Sequence, residues 1–531
     1  MQKISFTLSS SFNNLLLVVF LLLAGGCDAV GPNFIKPDAR VEDQWLQVDT
    51  GRVNTGQTVN SEWWKAFNDP VLDALIDKAY QENLTLQIAG IRILEARAQL
   101  GIAVGNIYPQ LQQVRGGISH VELSENQPNA TPALDTSYRD ANAGFDVGWE
   151  LDIWGRFRRG IEAADADLLA SLADYDDVLV SLTANVATAY TLICTFDERL
   201  AIARANVGIQ EHSLEIANDR FRNGTITELD VKQAETLLLN TKATIPALEI
   251  GLQQSKHALS TLLGMPPGGV EDILNGPGVI PTAPAEVAVG VPAELLRRRP
   301  DIRRAELQTA AQSARIGVAE SDLYPHFSLL GSIGLRAGDT FNSSLGDLFH
   351  LNSIEAFGGP SLTWDVFNYG RIKNNVRVQD ARLQQLIVAY QNTVLEASRE
   401  VEDALVGFLR AQEQVVLLEE SVKAGQRSVE LALLQYGEGI ADYQRVLDTQ
   451  QTLFDQQDLL TSRRGDIATS LISMYRALGG GWELRSGKPF VPEQITETMR
   501  KRSDWGQLLD TTTDELSMPD GKEKPARTPD W

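Results

Sequence analysis

A chain that contains itself twice must fold as two matched halves, and here the copies lie 215 or 216 residues apart. Ile107-Tyr108-Pro109 returns as Leu323-Tyr324-Pro325, and Ile102-Ala103-Val104 before it returns as Val318-Ala319-Glu320. The stretch from Trp149 to Arg156 (WELDIWGR) returns from Trp364 to Arg371 (WDVFNYGR). Phe221 to Gly224 matches Tyr436 to Gly439, and Leu263-Gly264 matches Leu478-Gly479. Four landmarks in one order, with almost no drift, mean a tandem duplication.

Each copy reads as helix, strand, strand, very long helix, second long helix. No proline occurs between Gly155 and Asn223, or between Gly370 and Lys488. In the second copy Val394, Ala397, Val401, Ala404, Phe408, Ala411, Val415, Leu418, Val422, Gly425, Val429, Ala432 and Tyr436 alternate spacings of three and four. Shifted back by 215, the ladder runs from Leu179 through Ile193, Leu200 and Leu214 to Phe221, and only Gln210 breaks its apolar run. Such a seam predicts a coiled coil. About 65 helical residues at 1.5 Å each span on the order of 100 Å. A soluble coiled-coil rod would show the same periodicity; the strands argue against it.

Phe145, Val147, Trp149, Leu151 and Ile153 alternate with Asp146, Gly148, Glu150 and Asp152. Leu362, Trp364 and Val366 alternate with Ser361, Thr363 and Asp365, though Phe367 spoils the last step, and Phe327, Leu329, Ile333 and Leu335 alternate with Ser328, Ser332 and Gly334, leaving Leu330 on the otherwise polar side. One apolar and one polar face suit a barrel wall between lipid and water, and suit equally a half-buried hairpin. The carboxylates beside Phe145 fit a wet lumen. Two hairpins make only four strands, whereas bacterial barrels start at about eight and open edges are too costly in hydrocarbon. Several copies must therefore pool their strands to close a wall.

Composition narrows the partners. Asp and Glu outnumber Lys and Arg by 70 to 47, and a net charge of −23 argues against nucleic acid. The acidity serves either solubility or a water-filled passage that favours cations. There are two cysteines. Cys27 follows the apolar run 15–23 and the small residues Ala24, Gly25 and Gly26, a run too short for a membrane-spanning helix. This resembles a bacterial lipoprotein processing site, which implies acylation of Cys27. Leu23 stands four residues before the cysteine rather than the usual three, and Asp28 resembles an inner-membrane retention signal of some bacteria. Cys194, in an apolar helical stretch, reads as a buried inert thiol.

The stretch from Val291 to Glu306 (VPAELLRRRPDIRRAE), together with Trp63-Trp64-Lys65-Ala66-Phe67, Asp69-Pro70, the two Tyr-Pro junctions and Trp364-Asp365-Val366-Phe367, resembles the TolC-like outer-membrane factor family. In particular it resembles the lipoprotein branch serving resistance-nodulation-division pumps, over residues 27 to 482. The resemblance implies an α+β fold. In a homotrimer, four strands per protomer make a 12-stranded outer-membrane β-barrel, continued by a long periplasmic α-helical coiled-coil barrel. It implies a lipid-anchored exit duct for drugs or other solutes that meets a periplasmic adaptor and an inner-membrane transporter of the resistance-nodulation-division type. The arginines at 297–299, 303 and 304 read as a solvated helix start and as a marker of the family.

The resemblance also places adaptor docking at the two helix reversals: Asn223, Gly224, Thr225 and Ile226 in one copy, Glu438, Gly439, Ile440 and Ala441 in the other. Glycine suits such reversals because it enters the left-handed conformation that ends helices. An Asp of the family's tunnel constriction corresponds to Asp448. Gln444 stands where relatives often carry a narrowing leucine, which implies a more polar constriction, and Arg445 is a candidate latch. For each of these residues an ordinary solvated helix face is the alternative.

No enzyme signature is present: no phosphate loop, no Cys-x-x-Cys, no Gly-x-Ser-x-Gly and no histidines at metal spacing. No cofactor or metal is expected. The organisation expected is a lipoprotein signal peptide (1–26), a lipid-anchored N-terminal segment (27–68), a first repeat (69–280), a second repeat (281–482) and a C-terminal tail (483–531) whose final dozen residues read as disordered. A pore-less periplasmic coiled-coil lipoprotein, or the duct of a metal-ion or secretion system, are the alternatives.

Overall fold

The computed structural model describes residues 29–509, apart from 43, 47–52, 55–60, 125, 127, 129–134, 275, 277, 285, 286, 289–297 and 340–342. Cys27 and its leader, residues 291–297 of the arginine-rich motif and the end of the tail lie outside the described residues. The first half carries α1 (Pro70–Glu82), α2 (Leu84–Gly105), β1 (Leu111–Glu122), β2 (Ser137–Glu150), α3 (Arg156–Arg222) and α4 (Glu228–Leu262). The second carries α5 (Pro300–Ser321), β3 (His326–Gly338), β4 (Ile354–Thr363), α6 (Arg371–Gly437) and α7 (Tyr443–Ala477), and the tail adds α8 (Glu493–Arg502).

The duplication holds to the residue in the lengths of the long helices. Helices α3 and α6 each have 67 residues, and α4 and α7 each have 35. Glycines with positive φ, Gly155 and Gly370, start the two longest helices. Even single hydrogen bonds repeat: Trp149 Nε1 donates to the Ile107 carbonyl at 3.0 Å, and Trp364 Nε1 to the Leu323 carbonyl at 3.1 Å. These bonds tie each strand end to the Tyr-Pro junction that opens its hairpin. The expected ladder is buried or half-buried at every rung in both copies except Phe221.

The main core forms where α1 and α2 pack on α3 beside α7 and the tail. Trp63 stacks on Tyr475 with ring centroids 5.3 Å apart and meets Trp64 edge-on at 5.7 Å. Burying such side chains contributes about 1.5–3 kcal/mol each. Asp69 caps α1 through the amides of Val71 and Leu72, with Pro70 at the first helical position, and its other oxygen accepts from the Tyr190 hydroxyl at 2.8 Å. The tail belongs to this core: Phe490, Val491 and Met499 are buried, and the Phe490 carbonyl lies so close to Gly90 that a Cβ there would stand 2.2 Å away. Helix α3 is long and apolar enough to cross a membrane, yet 72% of its apolar window is buried within the protein.

Cys194 is fully buried on α3, and burial pushes its thiol up to about 12. We expect no reaction with maleimide in the folded protein at pH 8 and full reaction after unfolding. Labelling of the folded protein would contradict this placement.

The four long strands form one antiparallel sheet in chain order, β1-β2-β3-β4, so β1 and β4 are its edges. Register puts Val114, Phe145, Ile333 and Ala356 in one row across the sheet. On that face Val114, Ile118, Phe145, Trp149, Leu329, Ile333, Ile354 and Leu362 are exposed. The other face carries Arg115, Asp140, Asp146, Ser332, Arg336 and Glu355, with Arg115 paired to Asp146 at 3.1 Å and Arg336 to Asp140 at 2.9 Å. Strands of 10 to 14 residues suffice for an outer-membrane span.

Several expectations need correction. Strand β2 ends at Glu150 and β4 at Thr363, so Leu151, Ile153, Trp364 and Val366 lie beyond the wall. Asp152 does not line a lumen: its carboxylate accepts from the Phe157 and Arg158 amides at 3.0 Å and caps the start of α3. Among the described arginines of the motif, Arg303 is exposed as expected, but Arg298, Arg299 and Arg304 are tied to carboxylates rather than simply solvated. Arg299 is 8% exposed and donates to Asp301, Glu400 and the Ala477 carbonyl, while Arg298 pairs with Glu483 at 3.1 Å and Arg304 with Asp177 at 3.1 Å. They bind the start of the second repeat to α3, α6 and the end of α7.

Candidate functional site

Both long helical pairs reverse at the same end of the molecule, and the two reversals are built alike. At the first, the Thr225 amide donates to the Arg220 carbonyl at 3.0 Å and the Gly224 amide to the Phe221 carbonyl at 2.9 Å. At the second, Ile440 donates to Gln435 at 2.9 Å and Gly439 to Tyr436 at 3.1 Å. This pair of bonds closes a helix end through a left-handed residue, and Gly224 and Gly439 have φ of +73° and +70°. The returning helices start on caps: Thr227 exchanges bonds with Asp230, and Asp442 accepts from the Arg445 amide. Asn223, Gly224, Thr225, Glu438, Gly439 and Ile440 are exposed, whereas Ile226 and Ala441 are half-buried.

A small separate core joins the two reversals. Ala217, Val231, Ala234 and Leu237 of the first pair pack against Ala432, Tyr436, Tyr443, Val446 and Leu447 of the second, with Ile226 at its margin. The Arg220 guanidinium lies 4.2 Å from the Tyr436 ring centroid, and Tyr436 packs on Tyr443 at 4.9 Å. The buried Tyr443 hydroxyl donates to the Ser213 carbonyl at 2.7 Å, and burial pushes its ionisation up to about 12.

Among the predicted constriction residues, Gln444 and Asp448 come together: Gln444 Nε2 donates to Asp448 Oδ1 at 2.7 Å, and both side chains are exposed. Arg445 is also exposed, and among the described residues its guanidinium pairs with no carboxylate of its own protomer. A latch through Arg445 would therefore have to reach another subunit.

The seam between α3 and α7 differs from the apolar ones. It carries Arg199 bidentate on Asp458 (2.8 and 2.9 Å), Asn206 on Gln457 (3.0 Å) and Gln450 on the Ser213 hydroxyl (2.9 Å). Gln210, the one polar rung of the ladder, is 2% exposed, and its amide nitrogen and oxygen have no hydrogen-bond partner. Sequence reasoning singled out Gln210 only as an interruption and assigned nothing to Ser213, Gln450 or Arg220. Nor did it assign anything to Tyr443, which directly precedes Gln444.

Comparison with known proteins agrees with this architecture. The model of the family described as outer membrane efflux protein matches residues 75–265 and again 291–480, one match per repeat. The pyoverdine export outer membrane protein OpmQ of Pseudomonas aeruginosa is 30% identical over 486 residues, covering 89% of this chain and 98% of its own. The solvent efflux pump outer membrane protein SrpC of Pseudomonas putida is 30% identical over 473 residues, covering 87% and 97%. Among solved structures, the outer-membrane channel OprN superposes with a TM-score of 0.79 at 30% identity, covering 86% of this chain and 99% of its own. The open state of the MtrE outer membrane channel of Neisseria gonorrhoeae gives a TM-score of 0.71 at 26% identity, covering 86% and 99%. Two tandem matches of one model, one on each half of the duplicated chain, place this protein in the outer membrane efflux protein family, a family of outer-membrane transport channels.

Proposed function

We propose that this chain is the exit duct of a tripartite efflux machine: a homotrimer that carries solutes from a periplasmic adaptor and an inner-membrane transporter of the resistance-nodulation-division type to the outside. The observation that carries the reading is the four-stranded sheet, apolar on one face and open at both edges, fused to helices about 100 Å long. Unpaired edge groups cost several kcal/mol each in hydrocarbon, so β1 of one copy pairs with β4 of the next until the ring closes. The helices continue that ring across the periplasm. OpmQ is named for pyoverdine and SrpC for solvents, and the pump, not the duct, sets what this one carries.

In this reading the helix reversals are the working end. The exposed turns at Asn223–Ile226 and Glu438–Ala441 dock the adaptor. Three copies of Asp448, each held by Gln444, form a polar constriction, and Arg445 latches it across subunits. Opening slides the α6–α7 pair past α3, because the polar seam between α3 and α7 gives up less apolar burial than the seams within each pair. Acylation of Cys27 anchors the trimer to the outer membrane.

Reconstitution tests this directly. We expect a heat-sensitive trimer on gels, channel currents in planar bilayers, and a several-fold larger conductance for Asp448→Ala. A folded monomer without current favours the pore-less lipoprotein. Unchanged conductance of an intact Asp448→Ala trimer removes Asp448 from the constriction.

A further inference from the structure

The first described residues of the chain are held more tightly than an anchor tether requires. Arg159, on the first turn of α3, is 5% exposed, and its guanidinium is directed at them. Nε donates to the Val30 carbonyl (3.2 Å), and Nη2 donates to the carbonyls of Gly31 (3.2 Å) and Ala29 (3.4 Å) and to Asn33 Oδ1 (2.8 Å). Nη1 is held by Glu162 at 2.8 Å. The Val30 amide donates to the Trp154 carbonyl at 3.0 Å.

Three glycines make room for this peptide. Gly31 has φ +92°, and a Cβ there would lie 2.4 Å from Gly317 Cα. A Cβ on Gly317 would lie 2.6 Å from the Val30 carbonyl oxygen, and one on Gly155 2.3 Å from Ala29 Cβ. Gly155 opens α3 in the first repeat, and Gly317 lies on α5 in the second. The peptide is thus wedged between the repeats where the sheet gives way to the helices. Further along, Lys36 pairs with Glu306, while Ala39 and Val41 pack beside Ile302, Tyr390 and Val394.

The duplication supplies a control. At the offset of 215, Arg159 corresponds to Asn374, and Gly155 to Gly370, where an added Cβ would meet only the Asn374 amide, 3.7 Å away. The repeat scaffold therefore does not need this arginine.

We propose that Arg159 is the positioning residue for the start of the mature chain, holding residues 29–33 in a seat at the root of the barrel wall and so limiting how far the acyl-bearing Cys27 can stray. This rests on the reading of Cys27 as lipidated. Only Asp28 separates Cys27 from Ala29, and the two peptide steps reach about 7 Å at most. The seat also dictates an order of maturation. In a precursor held in the inner membrane by its apolar run 15–23, six residues span about 20 Å from Leu23 to Ala29. The seat lies at the sheet end of α3, about 100 Å from the helix reversals that face the inner membrane. The seat of an upright duct therefore fills only after the leader is removed.

The test compares full-length wild type, Arg159→Gln, Asn33→Ala and Asn374→Ala by hydrogen exchange of peptides covering 29–36, by chymotrypsin cleavage after Phe34, which is half-buried, and by incorporation of radiolabelled palmitate. We expect label in all four, exchange faster by about tenfold or more in Arg159→Gln, a smaller rise in Asn33→Ala and none in Asn374→Ala. Labelled Arg159→Gln with wild-type exchange and cleavage overturns the seat. If Arg159→Gln fails to assemble, Asn33→Ala decides, and unchanged exchange there overturns it equally. Absence of palmitate from wild type sinks the lipidation reading instead, which the exchange data leave separate. A Cys27→Ser precursor that retains its leader should show residues 29–36 unprotected; protection there overturns the order of maturation.

Discussion

Tyr443→Phe is expected to open the duct far more often while leaving it assembled. The change keeps the ring packed on Tyr436 at 4.9 Å and deletes only the bond from the phenol to the Ser213 carbonyl. That bond runs from the start of α7 to α3, so it resists sliding of the second helical pair past the first. A buried neutral hydrogen bond contributes about 1 kcal/mol net. In the proposed threefold constriction, concerted opening of the three copies would make the loss about 3 kcal/mol per channel. At about 1.4 kcal/mol per tenfold, open probability rises on the order of 100-fold. Single-channel recording in planar bilayers measures it, with trimer migration on gels as the assembly control. An intact Tyr443→Phe trimer with wild-type open probability would show that the closed state does not depend on this contact.

Arg299→Gln should weaken the protein strongly, because it removes a buried guanidinium that serves three helices. Arg299 holds both oxygens of Asp301 (3.0 and 2.8 Å), Glu400 (2.9 Å) and the Ala477 carbonyl (2.6 Å). One side chain therefore connects the start of α5, the middle of α6 and the end of α7. Removing one member of a buried pair costs about 3–5 kcal/mol, because the partners stay desolvated without compensation. The lower end applies here, since the Glu400 side chain is 47% exposed and recovers water. Arg299→Lys keeps the charge but cannot reproduce the planar fork, so it should fall between the two. Thermal unfolding followed by circular dichroism, with trimer dissociation in parallel, should show a clear drop in midpoint for Arg299→Gln. Midpoints within about a degree of wild type would mean that the contacts are worth no more than exposed ion pairs.

The architecture was legible because its causes are local. A seam with rungs three and four residues apart and strands of period two are written along the chain, and the offset of 215 residues aligned two noisy copies into one pattern. The contacts that position the working parts are written nowhere locally. Arg485 pairs with Asp176 across 309 positions, and Arg299 reaches Ala477 across 178. A basic pair such as Arg298 and Arg299 looks solvated until packing brings carboxylates to it. Asp152 misled for the opposite reason: alternation continued past Glu150 although the strand had stopped, and a helix start claimed the carboxylate. Tyr443 and Arg159 carried no composition or spacing signal. Only the contacts in the fold set Arg159 apart from Asn374, its counterpart in the second copy.

The equal helix lengths carry a consequence for how such a protein can change. Both outgoing helices count 67 residues and both returning ones 35, so the two reversals end flush. Each residue added to one helix shifts its tip by 1.5 Å, and a heptad by about 10 Å. An insertion confined to one arm would leave a ragged rim that no flat partner could seat. The depth of the compartment this protein bridges is therefore recorded four times in a single polypeptide, and only edits made to all four records together would let it serve a wider or narrower cell envelope.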